Sequence, residues 1–370
     1  MDTVFDVVVI GAGMAGASIA AFLSEHRRVA LVEAEDAAGY HTTGRSAALW
    51  TANYGPPDVR LLTRLSRAFF EHPPDGFVTV PLLRQRTVLF LATAGQMPEL
   101  DLAVAAGAGL RHITITEAET LLPALRKDYA SGAAVEDDAF DMDVSAIHQG
   151  FLRRLHTNDG ILALRNRAGR ITRADGAWHV ETSSGAVFQA GVVVNASGAW
   201  GDEVAALAGA APIGLIPKRR TAAIVNPSPW DAEHWPMILD VSEGWYARPE
   251  ARTRLMVSPA DETPTYPHDV QPEEIDIATG IDRMQQALAI DVRRVEHSWA
   301  GLRTFTPDGS LAFGWDKTQQ GFFWCVGQGG YGIQTAPAAG RLAAALVLGD
   351  DPGEAAAAVP VIDPGRFQTV

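Results

Sequence analysis

Three glycines near the start of the chain stand at the spacing that binds a dinucleotide. Gly11, Gly13 and Gly16 form a G-x-G-x-x-G motif, and Glu33 closes the next apolar run. Gly11 would permit a tight turn, Gly13 would let the backbone approach a pyrophosphate at a helix N-terminus, and Gly16 would let helix and strand pack closely. Glu33 would accept hydrogen bonds from ribose hydroxyls and would repel a 2′-phosphate. The motif therefore predicts dinucleotide binding, with a purely structural turn as the alternative.

The segments around this motif predict a strand–helix–strand unit. Val7–Ile10 is a β-branched run bounded by glycine, which indicates a buried strand. An Ala-rich segment that reaches about Glu25 predicts the helix, and Val29–Val32 predicts the second strand. The residues after Glu33 are small or carry hydroxyl groups, so we expect a loop close to the ligand, with Arg45 and Ser46 opening a helical turn.

Two later apolar segments repeat the pattern of a buried strand that runs into small residues. They are 191–195, which is followed by Ala196, and 322–326, which is followed by a glycine-rich loop that starts at Gly327. Parallel sheets bind their ligands at the carboxyl ends of such strands. We therefore expect the turns at Gly11, Ala196 and Gly327 to meet at one edge of a sheet.

The remaining segments predict a second, β-rich region. Helices are predicted at 56–70, 97–107, 117–122, 144–157 and 272–289, and strands at 87–93, 161–173, 177–182, 186–189, 218–225, 237–241, 244–248 and 254–258. The acidic residues within 135–140 predict a solvated turn. We expect a discontinuous nucleotide-binding domain (1–50, 140–216 and 295–370) and a substrate domain (51–139 and 217–294).

Composition narrows the possible partners. The net charge of −14 disfavours nucleic acid and anionic membrane surfaces. A single cysteine, Cys325, excludes an internal disulfide, and no histidine spacing indicates a metal site. Asp6 and the glycines interrupt the apolar run 4–23, and no basic region precedes it. We therefore expect neither a membrane span nor a signal peptide, and a cytoplasmic location.

Motifs along the whole chain resemble one known family. They are the glycine fingerprint with Glu33, the loop YHTTGRSAA (40–48), PKRR (217–220), WAGLR (299–303) and GQGGYGIQT (327–335). Together they resemble the D-amino acid oxidase family of FAD-dependent amine oxidoreductases, within it most closely the soluble D-arginine dehydrogenase type. The resemblance implies an α/β fold, in which an FAD-binding Rossmann-like (three-layer) domain joins a second α+β substrate domain built on an antiparallel sheet.

The same resemblance implies non-covalent FAD as cofactor. The positions expected to contact it are Gly11, Gly13, Met14, Ala15, Gly16, Glu33, Ala34, His41, Thr42, Thr43, Gly44, Arg45, Ser46, Ala47, Ala48, Ala168, Ala196, Gly198, Trp200, Gly329, Gly330, Tyr331, Gly332, Ile333, Gln334 and Thr335.

The family's substrate-binding groups carry over onto five positions. The resemblance implies that Arg220 and Arg303 hold a substrate carboxylate, since a guanidinium fits a carboxylate bidentately and stays charged. Tyr54 and Tyr246 would bond the carboxylate or shape a lid, and the Gly330 carbonyl would accept from the amine. The implied reaction is hydride transfer from a D-amino acid to flavin N5. The imine then hydrolyses to a 2-oxo acid and ammonia, and a quinone, a dye or oxygen takes the electrons.

The chain departs from the arginine type where that type holds a basic substrate tail. The matching positions carry Leu49 and Val88, so a buried guanidinium would lack a countercharge. With Trp50 and Thr51, these residues predict a pocket for apolar or aromatic D-amino acids. Two alternatives remain open: a flavin oxidoreductase of secondary amines (sarcosine or proline type) or 2-hydroxy acids, and a non-catalytic flavin-binding assembly protein.

Overall fold

The computed structural model describes residues 4–368. The first half of the chain forms β1 (Val4–Ile10), α1 (Met14–Leu23), β2 (Val29–Val32), β3 (Leu49–Thr51), α2 (Pro57–Glu71), β4 (Leu83–Gln85), β5 (Val88–Ala92), α3 (Met97–Ala106), β6 (Leu110–Ile113), α4 (Ile115–Leu121), β7 (Gly132–Glu136), β8 (Ala139–Met142), α5 (Val144–Thr157), β9 (Ile161–Ala163), β10 (Ala168–Ala174) and β11 (Ala177–Thr182). The second half forms β12 (Val187–Asn195), α6 (Gly201–Leu207), β13 (Ile216–Val225), β14 (Met237–Asp240), β15 (Tyr246–Glu250), β16 (Arg254–Ser258), β17 (Thr263–Pro264), α7 (Glu274–Ala287), β18 (Val295–Phe305), β19 (Ala312–Trp315), β20 (Phe322–Val326), α8 (Gly332–Leu348) and α9 (Val359–Ile362).

The first sheet has a parallel centre formed by β20, β12, β1, β2 and β9, in that order. β1 is buried along its apolar run because Val7, Val8 and Val9 are covered on both faces. The loops that follow β1, β12 and β20 lie at the same edge because these strands are neighbours and parallel. The prediction that the turns at Gly11, Ala196 and Gly327 meet is therefore confirmed.

The second sheet runs in the order β17, β13, β16, β15, β14, β5, β7 and β6, and β18 pairs along the length of β13. It is antiparallel except where β5 and β14 run parallel. A small third sheet has the strand order β3–β8–β4. The predicted fold class, a Rossmann-like domain joined to a substrate domain on an antiparallel sheet, is confirmed.

Two segments pack with a different sheet from the one the predicted domain ranges assign. α2 shares a core with α1 and α8 of the nucleotide-binding region, through Val59 and Leu62. β18 belongs to the second sheet. The division into domains stays a prediction, and its outermost residues, 1–3 and 369–370, lie outside the described residues.

Three local predictions were wrong. The predicted strand 161–173 is two strands, β9 and β10, separated by residues 164–167. Arg45 and Ser46 do not open a helix: the chain stays irregular until it extends into β3. Glu136 is not in a solvated turn, because it ends β7 with only 1% of its surface exposed, although Asp137 and Asp138 are exposed. Along the described residues, no helix has both the length and the apolar character that crossing a membrane would need.

Candidate active site

A long cavity begins at the carboxyl edge of the parallel strands and ends at the face of β13 and β18. Glu33 lies along one part of it, and Arg220, Tyr246 and Arg303 lie along another. The first sheet, the loop 39–47 and the second sheet all contribute to its walls. An extended ligand in this cavity would therefore contact both sheets.

The glycine motif builds the wall next to α1. Gly11 has a φ of +100°, and a Cβ there would stand 2.6 Å from the Ala196 carbonyl oxygen. A Cβ on Gly16 would stand 1.8 Å from the Gly11 oxygen, so both positions require glycine. The N-cap residue of α1 is Gly13, which has no side chain to cap the helix, and α1 begins at the cavity. Its N–H groups and the positive end of the helix dipole suit a phosphate.

Glu33 is fixed by the backbone around it. One carboxylate oxygen accepts from the Ala12 N–H at 2.7 Å, and the other accepts from the Glu35 N–H at 3.0 Å. His148, which the sequence reasoning missed, lies behind the same loop with its Nε2 2.9 Å from the Ala12 carbonyl. Burial lowers the pKa of this histidine, so it is neutral and donates to that carbonyl.

The loop 39–47 forms hydrogen bonds to both α1 and β18. Thr43 Oγ1 accepts from the Met14 N–H at 2.9 Å, and Thr42 Oγ1 donates to the Leu302 carbonyl at 2.7 Å. The Trp299 indole N–H donates to the Arg45 carbonyl at 3.0 Å. These bonds explain why the segment is irregular: its polar groups bond to distant elements and not to a helix of its own.

The residues present fit an extended dinucleotide. Besides the glycine cradle, Thr304 Oγ1 is buried without a hydrogen-bond partner, and Thr304 lines the cavity. A buried hydroxyl of this kind is normally satisfied, so it indicates a polar ligand atom. The predicted cofactor positions that line the cavity are Gly11, Gly13, Met14, Ala15, Glu33, Ala34, His41, Thr42, Thr43, Arg45, Ser46, Ala47, Ala168, Ala196, Gly198, Trp200, Gly329, Gly330, Gly332 and Ile333.

Some predicted cofactor positions lie behind the cavity wall. Gly16 packs on Gly11, and Gln334 bonds Thr63 Oγ1 at 2.9 Å in the core. Gly44, Ala48, Tyr331 and Thr335 are likewise absent from the lining that these described residues form. Sequence reasoning missed other lining residues, among them Glu35, Asn166, Arg167, Trp299, Gly301, Leu302 and Thr304. Of these, only Trp299, Gly301 and Leu302 stood inside a motif that had been singled out.

Three of the other predicted substrate-binding positions, Tyr54, Tyr246 and Gly330, lie around Arg303. Its Nη1 donates to the Tyr54 hydroxyl at 2.9 Å. A Cβ on Gly330 would stand 2.8 Å from that hydroxyl and 2.9 Å from Nη1, so the Gly330 backbone touches both groups. Burial lowers the pKa of the Arg303 guanidinium, but the combined electrostatic effect of Tyr54, Tyr246, Glu262 and Tyr331 is larger, and the net pKa is raised. Arg303 therefore stays charged.

Arg220 lies beside this group but is already paired. Its guanidinium carbon is 5.9 Å from the centre of the Tyr246 ring. Its Nε donates to the Asp261 carbonyl at 2.8 Å, and its Nη2 contacts the Glu262 carboxylate at 3.0 Å. Burial raises the pKa of the Tyr246 phenol, whereas the positive charges of Arg303 and Arg220 lower it. The lowering effects are the larger, so the net pKa is lowered.

The predicted side-chain pocket is only partly assembled. Leu49 and Val88 join Tyr246 in one apolar cluster, but neither lines the cavity. Trp50 faces the other side of β3, where its indole N–H donates to the Thr63 carbonyl at 3.2 Å. Thr51 Oγ1 donates to the buried Glu136 carboxylate at 2.7 Å. Glu136 is directly opposite Val88 in the β5–β7 pair, so a carboxylate does lie near this position.

Comparison with known proteins agrees with this geometry. The family model described as FAD dependent oxidoreductase (DAO) matches residues 6–346. The glycine oxidase of Geobacillus kaustophilus is 28% identical over 181 residues, which are 47% of this chain and 45% of that protein. The aligned part is less than half of the length of this relative and of the FAD-dependent oxidoreductase domain-containing proteins 1 of Xenopus laevis and Bos taurus.

Solved structures share the fold over nearly the whole chain. The crystal structure of glycine oxidase from Geobacillus kaustophilus has a TM-score of 0.84 at 22% identity, and the match covers 100% of this chain and 99% of that one. An L-α-glycerophosphate oxidase from Mycoplasma pneumoniae with FAD bound has a TM-score of 0.84 at 17% identity, and the match covers 94% and 95%. At these identities the likeness concerns the fold alone.

Proposed function

The chain belongs to the family of FAD-dependent oxidoreductases, and from that premise we propose that it deaminates D-amino acids oxidatively. We propose apolar or aromatic D-amino acids as its substrates. The family assignment makes FAD the cofactor, and the cavity described above has the walls that such a cofactor needs. We propose that FAD binds non-covalently and that the protein is a dehydrogenase; a peroxide assay tests whether oxygen also accepts the electrons.

The observation that carries the proposal is the position of Arg303. Its guanidinium lines the far part of the cofactor cavity, and among residues 4–368 no carboxylate lies within ion-pair distance of it. A charged group in such a site requires an anion. A substrate carboxylate would supply it, with bidentate geometry and with the Tyr54 hydroxyl beside it.

The chain's own groups would bind and orient the substrate. Arg303 and the two tyrosines would hold the carboxylate, and the Gly330 carbonyl would accept a hydrogen bond from the amine. Fixing both groups orients the α-carbon for reaction. Bound FAD supplies the acceptor for the hydride that leaves this carbon. The C–H electron pair would depart with the hydrogen while the lone pair of the neutral amine forms the C=N bond. The nitrogen would then lose a proton to solvent, and water would convert the imine to a 2-oxo acid and ammonia.

The proposed preference for apolar side chains rests on the cluster of Leu49, Val88 and Tyr246 next to the carboxylate site. Glu136 lies nearby, but it is 1% exposed and bonded to Thr51. A basic substrate tail would have to break that contact to reach it. We therefore expect a higher kcat/KM for D-leucine and D-phenylalanine than for D-lysine and D-arginine.

The decisive experiment is anaerobic reduction of the yellow protein. We expect D-leucine to bleach the flavin absorbance and L-leucine to leave it unchanged, with a peroxide assay in air to separate oxidase from dehydrogenase activity. Bleaching by the L-form alone, or by 2-hydroxy acids alone, would refute the proposal. A protein that no amine or hydroxy acid bleaches would support a flavin-binding protein without turnover.

A second candidate function is oxidation of a small or secondary amine. It is favoured by the position of Leu49 and Val88 outside the cavity lining, where neither residue contacts a ligand in the cavity. The relative named glycine oxidase points in the same direction. Glycine and sarcosine in the same bleaching assay distinguish the candidates: faster reduction by these than by D-leucine would favour the second.

A further inference from the structure

One face of the β13–β18 pair carries three cations. Lys218 is directly opposite Arg303 in the antiparallel register, and Arg220 is two residues further along β13. Side chains two residues apart lie on the same face of a strand, so Lys218 and Arg220 share the face of Arg303. Arg219 faces the other side, where it pairs with Glu273 and Asp276.

Two neighbouring acids from the loop before β17 divide between these faces. Asp261 accepts from the Thr221 N–H at 2.6 Å and from the Thr221 hydroxyl at 3.0 Å, which fixes the loop against β13. Glu262 lies on the face of the three cations. Its carboxylate contacts Arg220 at 3.0 Å and Lys218 Nζ at 2.7 Å.

Glu262 thus already pairs with Arg220 and Lys218, the two cations that a second substrate carboxylate would need as partners. Within the described residues Arg303 has no such acidic partner, whereas Arg220 does. Glu262 is also close enough to Arg303 to contribute to the raised pKa of that guanidinium. A substrate with one carboxylate can bind at Arg303 without disturbing these pairs.

We propose that Glu262 is a specificity residue that restricts the site to monocarboxylates by holding Arg220 and Lys218. This inference deepens the proposed function and rests on it for the identity of the substrate. A second carboxylate on the substrate would meet the negative charge of Glu262, and it would have to displace that residue from two cations. Removing the charge leaves both cations available to an incoming anion.

Ligand binding tests the proposal without any turnover. The probes are propionate and succinate, which differ by the second carboxylate, and their Kd values are read from the change in the flavin absorbance spectrum. The test variant is Glu262→Gln, which keeps the shape and removes the charge. The matched control is Glu250→Gln. Its carboxylate has a similar exposure (39% against 41%), but its partner Arg248 is not among the described residues that line the cavity, whereas Arg220, the partner of Glu262, is.

We expect the wild-type protein to bind propionate more tightly than succinate. In Glu262→Gln the ratio of the succinate Kd to the propionate Kd should fall roughly tenfold, since a close charge pair is replaced by a neutral contact. Glu250→Gln should leave the ratio at the wild-type value, and Glu262→Asp should restore most of it. An unchanged ratio in Glu262→Gln, or an equal fall in Glu250→Gln, would overturn the proposal.

Kinetics provide the second arm and separate the two proposals. D-leucine and D-aspartate have side chains of similar branching and differ mainly in charge. Because Glu262→Gln removes a negative charge, it should raise the kcat/KM for D-aspartate relative to that for D-leucine, through a lower KM. If no D-amino acid reduces the flavin but the succinate ratio still shifts, the proposed function fails and the role of Glu262 stands. If D-leucine is oxidised and neither ratio moves, the role of Glu262 fails alone.

Discussion

At the scale of single residues, the two arginines of the site are not equivalent. Arg303 faces the cavity with the Tyr54 hydroxyl as its partner, whereas Arg220 is held by Glu262 and the Asp261 carbonyl. We therefore expect Arg303→Ala to lower kcat/KM for D-leucine by about a hundredfold or more, equivalent to about 3 kcal/mol. Arg220→Ala should lower it by only about tenfold, because much of its charge is already neutralised.

Steady-state kinetics on protein of equal flavin content would measure this difference. Arg303→Lys serves as a control, because it keeps the charge but loses the bidentate geometry, and it should fall between wild type and Arg303→Ala. An effect of Arg220→Ala as large as that of Arg303→Ala would mean that Arg220 is the principal anchor. The assignment of the substrate carboxylate to Arg303 would then be wrong.

Tyr246 gives the site a pH dependence of known sign. Its pKa lies below the ordinary value of 10, because the two guanidinium groups outweigh the effect of burial. When the phenol loses its proton, the phenolate offsets the charge of Arg303. KM should therefore rise as the pH climbs through the lowered pKa. In Tyr246→Phe, which has no phenol to ionise, this rise should disappear, and in the exposed control Tyr266→Phe it should remain; a rise that persists in Tyr246→Phe would contradict the assignment.

The sequence motifs predicted which arginines belong to this site, but not which acidic side chain pairs with them. Arg220 and Arg303 could be named from motifs, and the structure brings them to one face. The partner of Arg220 could not be named, because Glu262 reaches it from the loop that precedes β17, the edge strand that pairs with β13. Glu136 was wrongly predicted to lie in a solvated turn. The acidic residues next to it, Asp137 and Asp138, are exposed, whereas Glu136 ends a buried strand.

At the scale of elements, the predictable parts are those set by local patterns. β2 and α5 have the predicted bounds, because an apolar run or an Asp143 cap defines them locally. The irregular path of 45–48 and the position of β18 depend on distant partners. The Trp299 indole and the strand β13 supply those contacts, and no local pattern in either segment reports them.

The loop between β3 and α2, which carries Tyr54, depends on the buried Glu136. Thr51 Oγ1 donates to the Glu136 carboxylate, and the Asn53 N–H donates to Thr51 Oγ1 at 3.2 Å. Burial raises the pKa of Glu136 above its ordinary value of 4.5, so the folded protein retains this proton more readily than the unfolded chain. Its contribution to stability is complete below the ordinary value and is lost as the pH rises through the raised pKa.

We expect Glu136→Gln to remove that loss, because the amide stays neutral. The Tm of the variant relative to wild type should increase between pH 4.5 and the raised pKa and then level off. Asp128→Asn, an exposed carboxylate, should show no such trend. Glu136→Ala should destabilise the fold by about 1–3 kcal/mol, since it leaves the Thr51 hydroxyl without its acceptor. A Tm difference that does not change with pH would show that Glu136 has an ordinary pKa.

At the scale of the whole molecule, the cavity connects the two sheets. The glycine loop and Glu33 belong to the first sheet, Arg303 and Tyr246 belong to the second, and the loop 39–47 is bonded to both. FAD binds only the folded chain, so it should raise the free energy of unfolding by about 2.7 kcal/mol at one hundred times its Kd.

Removal of FAD should therefore lower Tm by several degrees, and adding it back should restore Tm in a concentration-dependent way. Riboflavin, which lacks the pyrophosphate and the adenosine, cannot use the helix N-terminus or Glu33. At equal concentration it should restore much less of the lost Tm than FAD does. Thermal melts of the FAD-free protein with each ligand measure the difference. Equal recovery with riboflavin would mean that the part of the cavity near Glu33 contributes nothing to cofactor binding, so the glycine motif would then be only a structural turn.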